Sequence, residues 1–416
     1  TVAEMVLKNN YYQTQSISLA EKEGLARNNE YRRLINSLES SGRLNRKLEF
    51  IPSDDELVER VAGGQSLTRP ELAVLNCYVK SQLKEELAVD AIANNEYLSS
   101  WVEKAFPKQL LKKYKAKIHS HILRKEIIAT QLANDMVDNM GITFFQRIVE
   151  STGESATNIA IAYVAARDVF RFNEFQTSVK ALDYKVAADD QLLLLINMMR
   201  RVRRGTRWFL RNRRNRLELT KDVPLFAKHV ISVIKETPKV LNATESQAWS
   251  DKCARFEQLG LKNDWASIMA MPSYLFSGLG VADAVVENNS SVASSVEMHH
   301  LLSDKLGLSW FAIAVSNVKV DTHWQAKARE SFIDDIDKAL RVMSVSLLSL
   351  AGKKYQLEEV LQLWMEEHTS VVARWRTMAK ELESNVANDF AIFSVAMGEL
   401  KDLMDACNNC KKLSLS

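Results

Sequence analysis

The chain is short of the residues that bend a polypeptide. It carries 13 Gly and 6 Pro in 416 residues, against typical usage of about 7% and 5%. Sandwiches, barrels and doubly wound sheets need many tight turns, and Gly and Pro supply the backbone geometry of most of them. So few turn residues predict an all-α chain, a multi-helix, two-lobed helical bundle assembly. Collagen-like and Pro/Gly-rich disordered chains are excluded on the same count. The apolar fraction of 46% suits a globular protein, and the length suffices for two or three domains with sizeable cores.

The apolar spacing agrees. Residues 1–50 read as two helices joined near Gln13–Gly24, and 53–63 as a short helix stopped by Gly63-Gly64. Thr68-Arg69-Pro70-Glu71 opens the next helix as a capping box, with Pro in the first turn, where its missing donor costs nothing. Leu72, Leu75, Val79, Leu83 and Leu87 then follow at steps of three and four. Phe106-Pro107 breaks a helix. Residues 118–138 predict a helix apolar nearly all round (Ile122, Leu123, Ile127, Ile128, Leu132, Met136, Val137), hence central and buried. Residues 155–170 and 174–182 read as helices, and 189–216 as one long helix with an apolar first half and a basic second. Beyond Pro224, Ser and Asn increase. Phe332, Ile336, Leu340, Met343, Leu347 and Leu350 stripe a bundle helix over 322–351, and 355–368, 369–385 and 388–406 continue as helices. The lobe boundary is expected near 220–240. No period of 20–50 residues recurs, which excludes a regular solenoid, and no alternating run compels a strand.

Net charge is +3, too small by itself to imply a polyanion partner. It is unevenly spread. Residues 101–220 hold 22 Lys/Arg against 12 Asp/Glu, a net of +10, which leaves −7 for the rest. The chain's own acidic lobes are the nearest candidates to face this basic segment. Four Cys are too few for a disulfide scaffold. Thr1–Gln15 shows no signal-peptide pattern, so a cytoplasmic setting is the default. The 18-residue stretch Trp265–Ala282 lacks charge, at the lower edge of a membrane span. It also holds Pro272, Ser273, Ser277, Gly278 and Gly280, and reads as two buried helix ends around a bend, so no membrane partner is expected. The chain opens at Thr1 inside a helical pattern (Val2, Met5, Val6) and reads as a piece of a longer polypeptide.

Motifs that carry chemistry are few. The close Gly pair Gly278-Leu-Gly280 is followed by Asp283 where a dinucleotide fingerprint needs a third Gly, and no strand precedes it. Gly352-Lys353 lacks the rest of a phosphate loop, and no G-x-S-x-G elbow occurs. A nicotinamide or nucleotide site built within this chain is therefore not expected. His119 and His121 point about 200° apart on a helix. Glu297, His300 and Asp304 share one face, but a two-metal bundle needs a second E-x-x-H and two more Glu. They read as a solvated charged face rather than a metal site. Cys407 and Cys410 read as two thiols on a fraying C-terminal helix. The loudest signal is Arg200, Arg201, Arg203, Arg204, Arg207, Arg211, Arg213, Arg214 and Arg216, nine Arg in 17 residues with no acid. Trp208 and Phe209 lie among them, and Arg with aromatics is a base-stacking combination. Against that, Arg200, Arg204, Arg207 and Arg211 share one face, and Arg forks pair with carboxylates at interfaces. An inter-lobe clamp is the favoured reading. A scaffold binding nucleic acid or an acidic protein through 200–216 is the alternative.

Several stretches resemble the C-terminal region of the large bacterial-type NAD-specific glutamate dehydrogenases. They are Leu67-Thr-Arg-Pro-Glu-Leu-Ala-Val-Leu75, His121-Ile-Leu-Arg-Lys-Glu-Ile-Ile-Ala-Thr130 with Leu132-Ala-Asn134, and Gly141-Ile-Thr-Phe144 with Arg147 and Thr152-Gly153. Ala162-Tyr163, Ala165-Ala-Arg167, Val169-Phe170, Ala181-Leu-Asp183, Thr206-Arg-Trp208 and Leu210-Arg-Asn212 follow in order, and Asn10-Tyr-Tyr-Gln-Thr-Gln15 resembles the stretch just after that family's catalytic core. The match is detailed over 1–220. It implies a parent enzyme that oxidatively deaminates L-glutamate to 2-oxoglutarate and ammonia with NAD. It also implies that the catalytic residues and the NAD fold lie upstream, so no catalytic, cofactor-binding or metal residue carries over and the chain alone is expected to be inactive. On this resemblance 1–50 are tail helices of the upstream catalytic domain, 51–220 a motif-rich helical domain and 221–416 a C-terminal helical bundle. The implied partners are that upstream domain and further copies in a homo-oligomer. Arg124, Glu126, Arg167, Asp183, Arg204, Arg207, Trp208 and Arg211 are expected to tie helices together, any buried Arg finding an ionic partner because an unpaired buried charge is costly.

Overall fold

Steps of three and four do become helices along the whole chain. The computed structural model describes every residue except 215, 272–277, 321, 353–354, 385–389 and 411–416. Among the described residues there is no strand, and the chain divides into two units, Thr1–Val223 and Pro224–Ser416.

The first unit opens with α1 (Val2–Lys22), α2 (Gly24–Ser40), α3 (Asp54–Ala62) and α4 (Arg69–Leu87). The first two meet at the single residue Glu23. At the start of α4 the Thr68 N–H donates to Glu71 Oε2 at 2.7 Å, and Arg60 also binds that carboxylate. Short α5 (Asp90–Ala93), α6 (Glu96–Ser99) and a 3₁₀ turn (Ser100–Ala105) lead to α7 (Lys108–His119), α8 (Arg124–Met140), α9 (Phe144–Thr152), α10 (Ala156–Val169), α11 (Phe172–Lys180) and α12 (Ala188–Asn212). The centre is α8, which packs against α1, α4, α5 and the 3₁₀ turn through Ile128, Ala129, Leu132, Ala133 and Met136.

Two boundaries differ from the sequence reading. The helix expected over 118–138 is two elements, because α7 ends at His119 and α8 begins only at Arg124. Ile122 and Leu123 occupy the turn between them and are exposed, with the Leu123 N–H donating to His121 Nδ1 at 3.0 Å. Their spacing continued the helical pattern, yet Ile122 is almost wholly uncovered and Leu123 only half covered. The long helix expected to reach 216 ends at Asn212, whose side-chain amide donates to the Trp208 carbonyl at 3.0 Å and competes with further helical bonding.

The α10–α12 crossing depends on small residues. A methyl group built on Gly205 would lie 2.6 Å from the Phe170 ring and 3.1 Å from Ala166 Cβ. Gly205→Ala is therefore expected to destabilise by about 1–3 kcal/mol through overpacking. Gly398→Ala, where a methyl group meets nothing within 4 Å, is expected to stabilise by up to ~1 kcal/mol through helix propensity. Urea midpoints of the two variants would show opposite signs. Equal shifts would mean the α10–α12 contact tolerates a methyl group.

The boundary at Pro224 falls inside α13 (Leu219–Glu236), where proline removes one helical hydrogen bond. A 3₁₀ turn (Thr237–Lys239), α14 (Ala243–Gln258), α15 (Asn263–Ala270), α16 (Leu279–Asn288), α17 (Val292–Lys305), α18 (Leu308–Asn317), α19 (His323–Ala351), α20 (Leu357–Glu367), α21 (Thr369–Ser384) and α22 (Phe390–Asn409) complete the second unit. The predicted stripe of α19 is its core: Ile336, Leu340, Met343 and Leu347 are buried with Phe311, Trp364, Trp375, Phe393 and Leu400. Cys407 does not sit on a fraying end. It is fully buried in this core, its Sγ 3.8 Å from the Met343 carbonyl, and burial pushes its thiol pKa up. Part of the Trp265–Ala282 stretch, residues 272–277, lies outside the described residues, while its flanks are the expected helix ends, α15 and α16. No described helix is long and apolar enough to cross a membrane.

Candidate functional site

The densest polar chemistry lies inside the first unit, where α8 and α10 face each other. Spacing of four on each helix sets Asp135 and Asn139 on one face of α8, and Tyr163 and Arg167 on one face of α10. Arg167 is buried. Its Nη1 pairs with Asp135 Oδ2 at 2.7 Å, and its Nη2 with Asp168 Oδ1 at 2.7 Å. The Tyr163 hydroxyl donates to Asp135 Oδ2 at 2.7 Å, and Tyr97 donates to Asp168 Oδ2 at 2.8 Å. Asn139 donates to the Tyr163 oxygen at 3.2 Å and accepts from Gln176 at 3.0 Å. The Arg167 guanidinium also lies over Trp101, 4.6 Å from the ring centroid, and Lys104 Nζ lies 3.0 Å from the same centroid.

Burial pushes the Asp135 carboxyl up, but Arg167, Lys104 and the Tyr163 hydrogen bond together hold it below the usual aspartate value. Burial works against the Arg167 charge, and Asp135 and Asp168 more than restore it. Lys104 is exposed as a residue, yet desolvation of its ammonium against the indole lowers its pKa. The cluster is thus charged, neutralised and hydrogen-bonded throughout, which is what a buried ionic group needs to hold helices together.

A second cluster receives part of the Arg run. Arg27 pairs with Glu23 at 2.7 Å and Glu30 at 2.9 Å, Arg147 pairs with Glu30 at 3.2 Å, and the Thr143 hydroxyl donates to Glu30 at 2.9 Å. Burial raises the Glu30 pKa, but Arg147, Arg27 and Arg203 pull it below the usual value. Arg200 reaches Glu23 at 3.9 Å, and Arg214 pairs with Glu154 at 2.8 Å. A cleft of about 20 Å³ opens between Arg27, Thr143, Arg147, Arg200 and Arg203, room for about one water.

The residues singled out in the sequence do not converge. Arg167 is in the first cluster. Asp183 accepts from the Tyr11 hydroxyl at 3.1 and 3.0 Å, which ties α1 to the end of α11. Arg204 is half-buried beside Arg201, whose pKa burial and Arg204 push down to about 10. Arg207 and Trp208 are buried, Trp208 edge-on to Phe209 at 5.3 Å, and Arg211 is exposed. Arg124 stands half-buried in the first turn of α8, and one carboxylate oxygen of Glu126 is buried without a hydrogen-bond partner. Asp135, Asp168, Tyr97 and Lys104 went unnoticed in the sequence. The available signal was two acids, Asp135 and Asp138, amid the buried positions of the second half of α8. In the second unit His300 lies 3.7 Å from Glu245, and no group of three or more His, Cys, Asp or Glu among the described residues is placed to hold a metal.

The glycine pair Gly278-Leu-Gly280 does not form a dinucleotide cradle. Gly278 lies against Val233 and Val230, and a methyl group on Gly280 would lie 3.3 Å from Asp337 Oδ1. A pyrophosphate brought to that helix N-terminus would meet a negative charge where binding needs donors.

Residues 64–402 match the family model described as glutamate dehydrogenase, C-terminal. The chain is 40% identical over 402 residues to the NAD-specific glutamate dehydrogenase of Pseudomonas aeruginosa, covering 97% of this chain and 25% of that protein. It is 36% identical over 408 residues to the one from Halomonas elongata, with 97% and 25% covered, and 28% identical over 400 residues to the one from Mycobacterium tuberculosis, with 96% and 24% covered. The chain spans about a quarter of the length of these relatives. An all-helical chain with its polar chemistry spent on helix-to-helix ties, matched over most of its length by that model, belongs to the glutamate dehydrogenase C-terminal family.

Proposed function

We propose that this chain is the non-catalytic helical C-terminal portion of an NAD-dependent glutamate dehydrogenase, which converts L-glutamate, NAD and water to 2-oxoglutarate, ammonia and NADH. Its role is to brace the catalytic core, and with it the oligomer or its regulation, in a cytoplasmic enzyme. The observation that carries this reading is the near-complete match of the chain to a quarter of each relative. The ion pair of buried Arg167 with Asp135 and the half-buried Tyr11–Asp183 hydrogen bond support it, because they tie helices together.

The nucleic-acid alternative loses its main support. Trp208 and Phe209, the aromatics that would stack on bases, are buried, and stacking needs an accessible ring face. Glutamate-dependent NAD reduction, measured on the full-length polypeptide and on residues 1–416 side by side, tests the proposal. Turnover in the former and none in the latter is expected. Turnover by 1–416 alone would overturn it, and so would an unchanged rate and glutamate affinity after deletion of 52–416.

A further inference from the structure

Residues 104–125 contain eight Lys/Arg and no acid. This segment runs from the end of the 3₁₀ turn through α7 to the first turn of α8, and α7 is mostly exposed. Of the twelve residues of α7 only Ile118 is buried. Leu110 is 42% exposed, Tyr114 39%, Leu123 52% and Ile122 93%. Lys115 pairs with Glu103 at 3.2 Å and Lys125 with Asp90 at 3.1 Å, both in neighbouring elements. Lys108, Lys112, Lys113 and Lys117 meet no carboxylate among the described residues; Lys113 lies 5.3 Å from the Tyr114 ring centroid.

Such a helix is poorly supported by its own unit. Isolated helices of this length are marginal in water, and like charges at i,i+4, as in Lys108/Lys112 and Lys113/Lys117, repel. The helix also departs from helical backbone at Tyr114 (φ −126°, ψ 23°). Cationic groups alternating with exposed aliphatic ones call for a surface that supplies both carboxylates and apolar contact. We propose that the segment 108–123 is a docking surface for the remaining polypeptide of the full-length enzyme, through a face that sets Asp/Glu side chains around an apolar pocket. This rests on the reading of the chain as part of a larger dehydrogenase, whose matched relatives are about four times its length. Charge complementarity sets the sign of the partner face, and Ile122 and Leu123 set its apolar centre. RNA offers phosphates but no pocket for an aliphatic side chain. A bilayer would need the stripe Leu110, Leu111, Tyr114, Ile118 turned outward, and Ile118 is already buried in the unit.

The test compares the full-length polypeptide with residues 1–416, using a carbodiimide that joins amines to carboxylates at ion-pair distance and mass spectrometry of the products. Coupling of Lys112, Lys113 or Lys117 to Asp or Glu outside 1–416 is expected in the full-length protein. Several-fold slower acetylation of these lysines than in 1–416 is expected with it, exposed Lys252 being unchanged. The exposed triple variant Lys112→Glu, Lys113→Glu, Lys117→Glu should keep its helical circular dichroism and lose the coupling. Equal acetylation rates in the two proteins, or absence of such coupled pairs, would overturn the proposal. Coupling only to carboxylates within a second 1–416 copy would also overturn it. So would retention of 1–416 on poly(U) RNA, or on phosphatidylcholine–phosphatidylserine vesicles, abolished by the triple variant. Full coupling in a full-length protein that fails to reduce NAD would reject the dehydrogenase reading while leaving the docking of 108–123 on the remaining polypeptide demonstrated.

Discussion

Arg167→Ala is expected to destabilise the first unit by about 3–5 kcal/mol, the typical cost of removing one partner from a buried ion pair. The variant leaves the half-buried Asp135 with the Tyr163 hydroxyl and a more distant Lys104 as its remaining compensation. It also strips Trp101 of the guanidinium that covers it at 4.6 Å. Arg167→Lys should not rescue, because one ammonium cannot reach Asp135 and Asp168 in the forked geometry that places both at 2.7 Å. Acid gives a second readout. In the native protein Asp135 titrates below its ordinary value of 3.8. Its contribution is complete above that value and is lost as pH falls through the lower folded value. Without Arg167, burial dominates and the folded pKa of Asp135 rises above the unfolded one. Protonation then favours the folded state, so the gap between variant and native protein narrows as pH falls toward 4. Urea unfolding at pH 7 and pH 5 measures both effects. A cost below about 1 kcal/mol, the range of exposed pairs, or a gap that widens on acidification, would show that the pair does not hold α8 to α10.

What the sequence displayed was local. The start of α4 was readable from Thr68, Pro70 and Glu71 because a cap is made by neighbours in sequence. The α19 stripe was readable because one face of one helix is buried. The failures are equally physical. Ile122 and Leu123 continue a helical spacing, and spacing cannot tell whether a partner covers the residue. The Asp135–Arg167 pair joins residues 32 apart, and Arg200–Glu23 residues 177 apart, so which acid an arginine meets depends on packing and not on pattern. For the same reason the Arg run looked like one feature. In the structure it splits into buried Arg201 and Arg207, half-buried Arg203 and Arg204, and exposed Arg211 and Arg214.

Trp375→Ala should cost the second unit about 3–5 kcal/mol, as expected for a large side chain removed from a close-packed core. Trp375 is fully buried, edge-on to Phe311 at 5.3 Å, and Phe311 in turn contacts Phe393 at 5.9 Å. One deletion therefore loosens α18, α21 and α22 together. A comparison with Trp364 separates packing from hydrogen bonding. Trp375 Nε1 donates to the Leu306 carbonyl at 2.7 Å, just past the end of α17. Trp364 is equally buried, stacks on His368 at 5.3 Å, and its Nε1 is buried with no acceptor. Each Trp→Phe change removes similar volume. Only Trp375→Phe strands a buried carbonyl, at about 1–3 kcal/mol, whereas Trp364→Phe removes a donor that was already unsatisfied. Trp375→Phe is thus expected to be the more damaging of the pair. Helical circular dichroism in urea, with hydrogen exchange of α19 and α22 amides, reads the order without relying on the fluorescence of the altered residue. Equal losses would mean the Leu306 bond contributes nothing to the second unit.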